Sequence, residues 1–161
     1  MKRLPANNSF LILLGIALLG FTGWGCSTVS PAISPELRER IPTNARNIIV
    51  SSSMSADEIF AETKKNIEST TPCAIRTAQE SSRRILTNEC RPGNTSTPLR
   101  IDVRVEETSD GSRVSAITQV RVGSSDSWQD VQYNRRGIDW AFEEATIIMN
   151  NLPGEISFET P

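Results

Sequence analysis

The strongest constraint on this chain's fold is the run from Leu99 to Glu106. Leu99, Ile101, Val103 and Val105 alternate with Arg100, Asp102, Arg104 and Glu106, the two-residue period of a strand with one apolar and one polar face. Asp110-Gly111 follows, a favoured two-residue hairpin turn because both positions take positive φ. Folding about it pairs Val105 with Ala116, Val103 with Thr118, Ile101 with Val120 and Leu99 with Val122, so the apolar faces of the two strands coincide. An antiparallel hairpin with one apolar face needs a covering layer, and that layer is helical or a second sheet.

Two segments supply helices. Ser55 and Glu58 form a capping box, with Met54 and Ile59 at the staple positions around it. The helix is expected to run to about Glu68, with Ala56, Ile59, Phe60, Thr63 and Ile67 on one face. A second helix is expected from Arg136 to Asn151. Its stripe is Ile138, Ala141, Phe142, Ala145, Ile148, Met149 and Leu152, and Pro153-Gly154 ends it. Asn47 to Ser52 (NIIVSS) reads as a strand. Cys73 to Glu80 and Arg83 to Cys90 read as a second hairpin about Ser81-Ser82, which places the two cysteines opposite each other at the spacing a disulfide prefers. Its hydrophobic pattern is mixed: Ile75 and Leu86 fall on one face, Ala78 and Ile85 on the other. Residues 123–134 are polar and irregular, with Trp128 and Tyr133 as their large side chains.

The order is strand, helix, four strands, helix. It predicts an α+β two-layer sandwich, an antiparallel sheet of about five strands with two helices on one face. The folded body is expected over 47–153, preceded by a Pro/Ser-containing tether at 26–46, whose ELRER piece can form a helical turn, and followed by a tail at 154–161.

The N-terminus carries different information. Lys2 and Arg3 precede an apolar run from Phe10 to Phe21, then Thr22-Gly23-Trp24-Gly25-Cys26. About a dozen apolar residues suit a signal h-region and fall short of the ~20 that span a bilayer. Gly25-Cys26 resembles the lipobox of bacterial lipoproteins, in which a small residue precedes the lipidated cysteine. Gly23 stands where that family prefers Leu, and Trp24 where a small residue is usual. The resemblance implies removal of 1–25, acylation (palmitate among the acyl chains) of Cys26 and a membrane anchor. Ser27 in place of Asp implies the outer membrane. An uncleaved anchor or an ordinary secretory signal is the alternative. Lipid on Cys26 would leave Cys73 and Cys90 of three cysteines to pair in an oxidising compartment; the alternative is three free thiols. As a flexible coil the tether would reach roughly 25 Å. The body resembles, in architecture alone, the small helix-grip domains of envelope lipoproteins, one of them a subunit of the outer-membrane β-barrel assembly machinery, and that likeness transfers no functional residue.

Composition narrows the chemistry. Losing Lys2 and Arg3 with the leader takes the formal charge from −2 to −4, a poor match to nucleic acid. Histidine is absent, which removes the usual general base, the Ser–His and Cys–His pairs and the commonest transition-metal ligand. No cofactor or metal is expected. Asn94-Thr95-Ser96 matches a glycosylation sequon, a match without meaning if the chain is bacterial, as the lipobox resemblance implies. Asp139, Glu143 and Glu144 cluster on the last helix, where the simple reading is a solvated face near a helix N-terminus. Arg100 is expected to face Arg121 across the hairpin, a like-charge pair needing an acid such as Glu89 or a bound anion. Trp140 and Ile147 lie opposite the apolar stripe of the last helix, as a contact patch or under the tether or the 123–134 loop.

These features favour a lipid-anchored, non-enzymatic envelope protein acting by contact with another envelope protein, in a structural or assembly role. The second expectation is a binding module for an anion at Arg100, Arg104 and Arg121. The third is a carboxylate-only cell-wall hydrolase, which would need two acids roughly 5–9 Å apart across a cleft.

Overall fold

A computed structural model describes residues 33–71, 73–91, 96–121, 123, 127–133 and 139–161. Cys26, the leader and residues 26–32 of the expected tether lie outside the described residues, as do Ile138 and the expected start of the last helix. The described elements are α1 (Pro35–Arg40), β1 (Asn47–Ser52), α2 (Ala56–Thr70), β2 (Ile75–Gln79), β3 (Arg84–Thr87), β4 (Leu99–Thr108), β5 (Gly111–Arg121), β6 (Trp128–Asp130), α3 (Asp139–Asn150) and β7 (Glu155–Glu159). The protein is α+β, with one antiparallel seven-stranded sheet in the order β2-β3-β4-β5-β1-β7 and with β6 also paired to β5.

The sheet is two-faced because its long strands alternate. Every second residue of β5 from Ser112 to Val120 is buried, and those between are half-buried. Ile48, Val50, Ile101, Val103, Val105, Val114, Ala116 and Val120 face a single core together with Ile59, Phe60 and Ile67 of α2 and Ala141, Phe142, Ala145, Ile148 and Met149 of α3. α2 begins where the capping box requires: the Glu58 amide donates to Ser55 Oγ at 3.4 Å, and the Ser55 amide donates to Glu58 Oε2 at 3.1 Å. Tyr133, Phe142 and Phe158 form a row with ring centroids 5.5 and 6.2 Å apart, joining the loop after β6 to α3 and β7.

Four expectations are corrected. The first concerns the tether. Ser34 caps α1 with Pro35 in the first turn, and Ile33, Leu37, Ile41 and Ala45 are 6, 6, 2 and 0% exposed within the core. Residues 33–46 are therefore body. The second concerns the tail, where β7 pairs with β1 from Asn47↔Glu159 to Ser51↔Glu155. Gly154, at φ +152°, permits the approach, since a Cβ there would strike the Ser51 carbonyl. The free edge of β7 is partly closed by Arg40, whose Nη2 donates to the Ile156 carbonyl at 3.0 Å.

The third correction is the register of β4 and β5. Leu99 pairs with Val120, Arg100 with Gln119, Val103 with Ala116 and Val105 with Val114. The turn is Ser109-Asp110, one residue earlier than expected. Gly111 takes the positive φ (+137°) and lies so close to the Ser52 carbonyl that no Cβ fits. That slip moves each partner by two residues, so the apolar faces still coincide.

The fourth is the sense of β2. Its pairing with β3 keeps the expected register at Ala78↔Ile85 and Gln79↔Arg84, then shifts between Ile75 and Thr77. The bulge places both Ile75 and Ala78 against the core, resolving the mixed alternation, and leaves Arg76 and Thr77 both exposed. Beyond it the Cys73–Cys90 disulfide closes, with Cα atoms 5.1 Å apart. Its loop of 17 residues corresponds to about 3 kcal/mol of stabilisation on chain-entropy grounds.

Candidate functional site

Because the helices pack on one face, the chemistry-bearing side chains collect on the other. There, β4 presents Arg100, Asp102 and Arg104, β3 presents Arg84, and β5 presents Arg113, Gln119 and Arg121. Ile49 is 3% exposed yet belongs to this outer face, opposite Ser115.

Two networks order the surface. Arg84 forks onto Asp102 through bonds of 2.8 and 2.7 Å, while Arg104 reaches the same carboxylate at 3.9 Å. The Asp102 side chain is 8% exposed, and hydrogen bonding to it raises the Arg84 pKa from its ordinary value. In the second network Arg100 Nε donates to Gln119 Oε1 at 2.7 Å, Gln119 Nε2 donates to Asp130 Oδ1 at 2.8 Å, and Arg46 donates to Asp130 Oδ2. Burial would raise Asp130, but the bonds from Gln119 and Arg46 outweigh it and hold the carboxyl below its usual range. Trp128 of β6 stacks on the Arg100 guanidinium, with Cζ 4.3 Å from the ring centroid.

The expected Arg100–Arg121 pair is corrected by the register. Arg100 faces Gln119, and Arg121 faces Trp128. Arg121 instead bonds Glu89 at 2.9 Å, an acid that Arg91 also contacts at 3.2 Å. Arg121 Cζ also lies 6.0 Å from the centroid of the Trp128 ring on which Arg100 stacks. Arg84 joins the expected anion site through its pairing opposite Arg104, and Arg76 joins through the bulge, which no periodicity signal marks.

The two α3 side chains expected opposite the apolar stripe are not free of the core. Trp140 and Ile147 are half-buried and packed against the core, because α3 is flanked on more than one side. Arg38 of α1 forks onto Glu143 through two bonds of 2.9 Å. Asn66 of α2 donates to the Ile148 carbonyl at 2.5 Å. The acids of α3 accordingly diverge: Glu143 meets α1, whereas Glu144 is buried at 9% exposure and is bonded by Thr71. They do not converge across a cleft. An open groove of about 480 Å³ lies between α2 and the β2–β3 turn. Its two carboxylates, Asp57 and Glu80, are 84 and 83% exposed and salt-bridged to Arg83 and Lys64.

Burial pushes the Glu144 carboxyl above its ordinary pKa, and the Thr71 hydroxyl opposes this only in part. The folded state then binds a proton at a higher pH than the unfolded chain. The associated stability is complete below the unfolded pKa and is lost as pH rises through the folded one. Glu144→Gln is expected to raise Tm by about 3 °C at pH 7 and by nothing at pH 4, as measured by thermal melts at the two pH values. An equal gain at both would assign the effect to packing.

Among the described residues no three His, Cys, Asp or Glu side chains gather as a metal site, and no helix is long and apolar enough to cross a membrane. No protein-family model, curated protein or solved structure matches this chain.

Proposed function

We propose that this chain is a lipid-anchored bacterial envelope protein. Cys26 holds it at the outer membrane facing the periplasm, and it acts without catalysis, as a structural or assembly accessory in contact with another envelope protein. The observation that carries the contact reading is the one-sided coverage of the sheet. Helices pack on one face, and among the described residues the other is a broad surface whose charged side chains are fixed by forked and shared hydrogen bonds. Side chains held in this way lose less conformational freedom on association than free ones.

A photo-cross-linking residue at Thr77 or Ser157, on the open face, is expected to give one discrete adduct in intact envelopes. The same residue at Lys65, on α2, should give none. Adducts of equal yield from the helical side would remove the open face as the contact surface.

The anchor has its own test. Cys26→Ser is expected to leave unprocessed precursor of higher mass by mass spectrometry. Normal cleavage with detergent-free solubility in that variant would sink the lipoprotein reading.

A further inference from the structure

On the β2–β3–β4 end of the open face, Arg84, Arg100 and Arg104 gather about Asp102, with Arg76 near Arg100. Arg84 and Arg104 face each other across β3 and β4 and both reach Asp102. Arg100 lies two residues before Asp102 on the same strand face, and the bulge in β2 turns Arg76 outward beside them. Arg76 and Arg84 are near enough to Arg100 to repel its charge. Glu106, next along the face, stands opposite Arg113.

The excess charge is not neutralised among the described residues. Among the described residues Arg76 has no ion-pair or hydrogen-bond partner, and Arg100 donates through Nε alone, leaving both terminal nitrogens without an acceptor. Burial lowers the Arg100 pKa from its ordinary value and Arg76 and Arg84 lower it further, against the attraction of Asp102 and Asp130. Trp128 holds the plane of this guanidinium in place. On the same face, Thr77, Gln79, Arg84 and Leu86 line a small hollow of about 50 Å³.

We propose that Arg76, Arg84, Arg100 and Arg104 form a binding site for a phosphate group, either free or as the ester headgroup of a lipid. Charge decides between oxyanions: a carboxylate would neutralise one of about three surplus positive charges, whereas a phosphate monoester carries about −1.5 to −2 at neutral pH. Residue type agrees. The two lysines among the described residues, Lys64 and Lys65, are both on α2, and every base in this cluster is arginine, whose fork matches paired phosphate oxygens. The proposal stands independently of the contact reading, because it needs no protein partner.

The test is calorimetric titration of the purified full chain in neutral detergent. The probes are inorganic phosphate and short-chain phosphatidic acid, with short-chain phosphatidylcholine as control. Saturable binding is expected, weakened about tenfold by Arg100→Gln and several-fold by Arg76→Gln, and unchanged by Arg113→Gln, whose partner is Glu159. Binding of inorganic phosphate would assign a free phosphate. Binding of phosphatidic acid alone, with the same sensitivity to substitution, would assign a lipid headgroup. Arg76 is exposed at a bulge, so its variant is expected to melt with the wild type and keeps the test valid if Arg100→Gln unfolds. No binding of either probe at about 10 mM, or binding indifferent to both substitutions, overturns the proposal.

Discussion

A protein begun at Asn47 is expected to be unfolded, although the first strand of the sheet starts there. Such a chain lacks Ile33, Leu37 and Ile41, each nearly excluded from water in the core. Burying an aliphatic side chain of that size contributes about 1.5–3 kcal/mol, so the three together rival a typical net stability of about 5–15 kcal/mol. The truncation also removes the Arg38–Glu143 fork, the Arg40 bond to β7 and the bond from the Arg46 amide to the Glu159 carbonyl. Far-ultraviolet circular dichroism with a thermal melt checks it, and a chain begun at Ile33 should melt cooperatively. If the chain from Asn47 melts within a few degrees of the longer one, residues 33–46 are dispensable.

Phe142→Ala is expected to cost about 3–5 kcal/mol. Phe142 is fully buried and is the middle ring between Tyr133 and Phe158. Its loss opens a cavity where the loop after β6, α3 and β7 meet, and three separate segments cannot all collapse into it. Denaturant unfolding should show the midpoint falling with little change in slope. Phe142→Leu, which keeps most of the volume, should lose clearly less. A loss below about 1 kcal/mol for the alanine variant would mean that the aromatic row contributes little.

The parts of the fold legible in the sequence were those stated by period and cap together. Ser55 and Glu58 place the start of α2, and the alternation in β4 and β5 identifies the buried faces. Register was less legible, because a two-residue slip leaves those faces unchanged. What selects the observed turn is the packing of Gly111 on Ser52, a contact between segments far apart in the chain. The packing of α1 was obscured by Pro31, Pro35 and Pro42 and the serines around them, although Ile33, Leu37, Ile41 and Ala45 recur every four residues and Ser34-Pro35 is a helix start. β7 was obscured by Pro153-Gly154, which reads as an ending even though Ile156 and Phe158 alternate with polar residues.

The candidate site was less legible than the fold. Arg100 and Arg104 stand out on the polar side of an alternating strand. The place of Arg121 depended on the register, and that of Arg76 on a bulge. The sequence left Trp140 and Ile147 open between exposed and covered for a related reason. Helical phase gives direction about an axis, whereas burial depends on how many neighbours surround that axis, and α3 has neighbours on several sides.

The position of β1 bears on when the molecule can assemble. β1 lies between β5 and β7, and its pairing with β7 joins Asn47 to Glu159, 112 residues apart. A chain emerging N-terminus first therefore carries an apolar strand that waits for both partners, one of them made more than a hundred residues later. Such long-range closure slows folding. Until both partners are made, β1 presents backbone donors and acceptors that have no partner strand, so the β1–β7 edge of the sheet closes last.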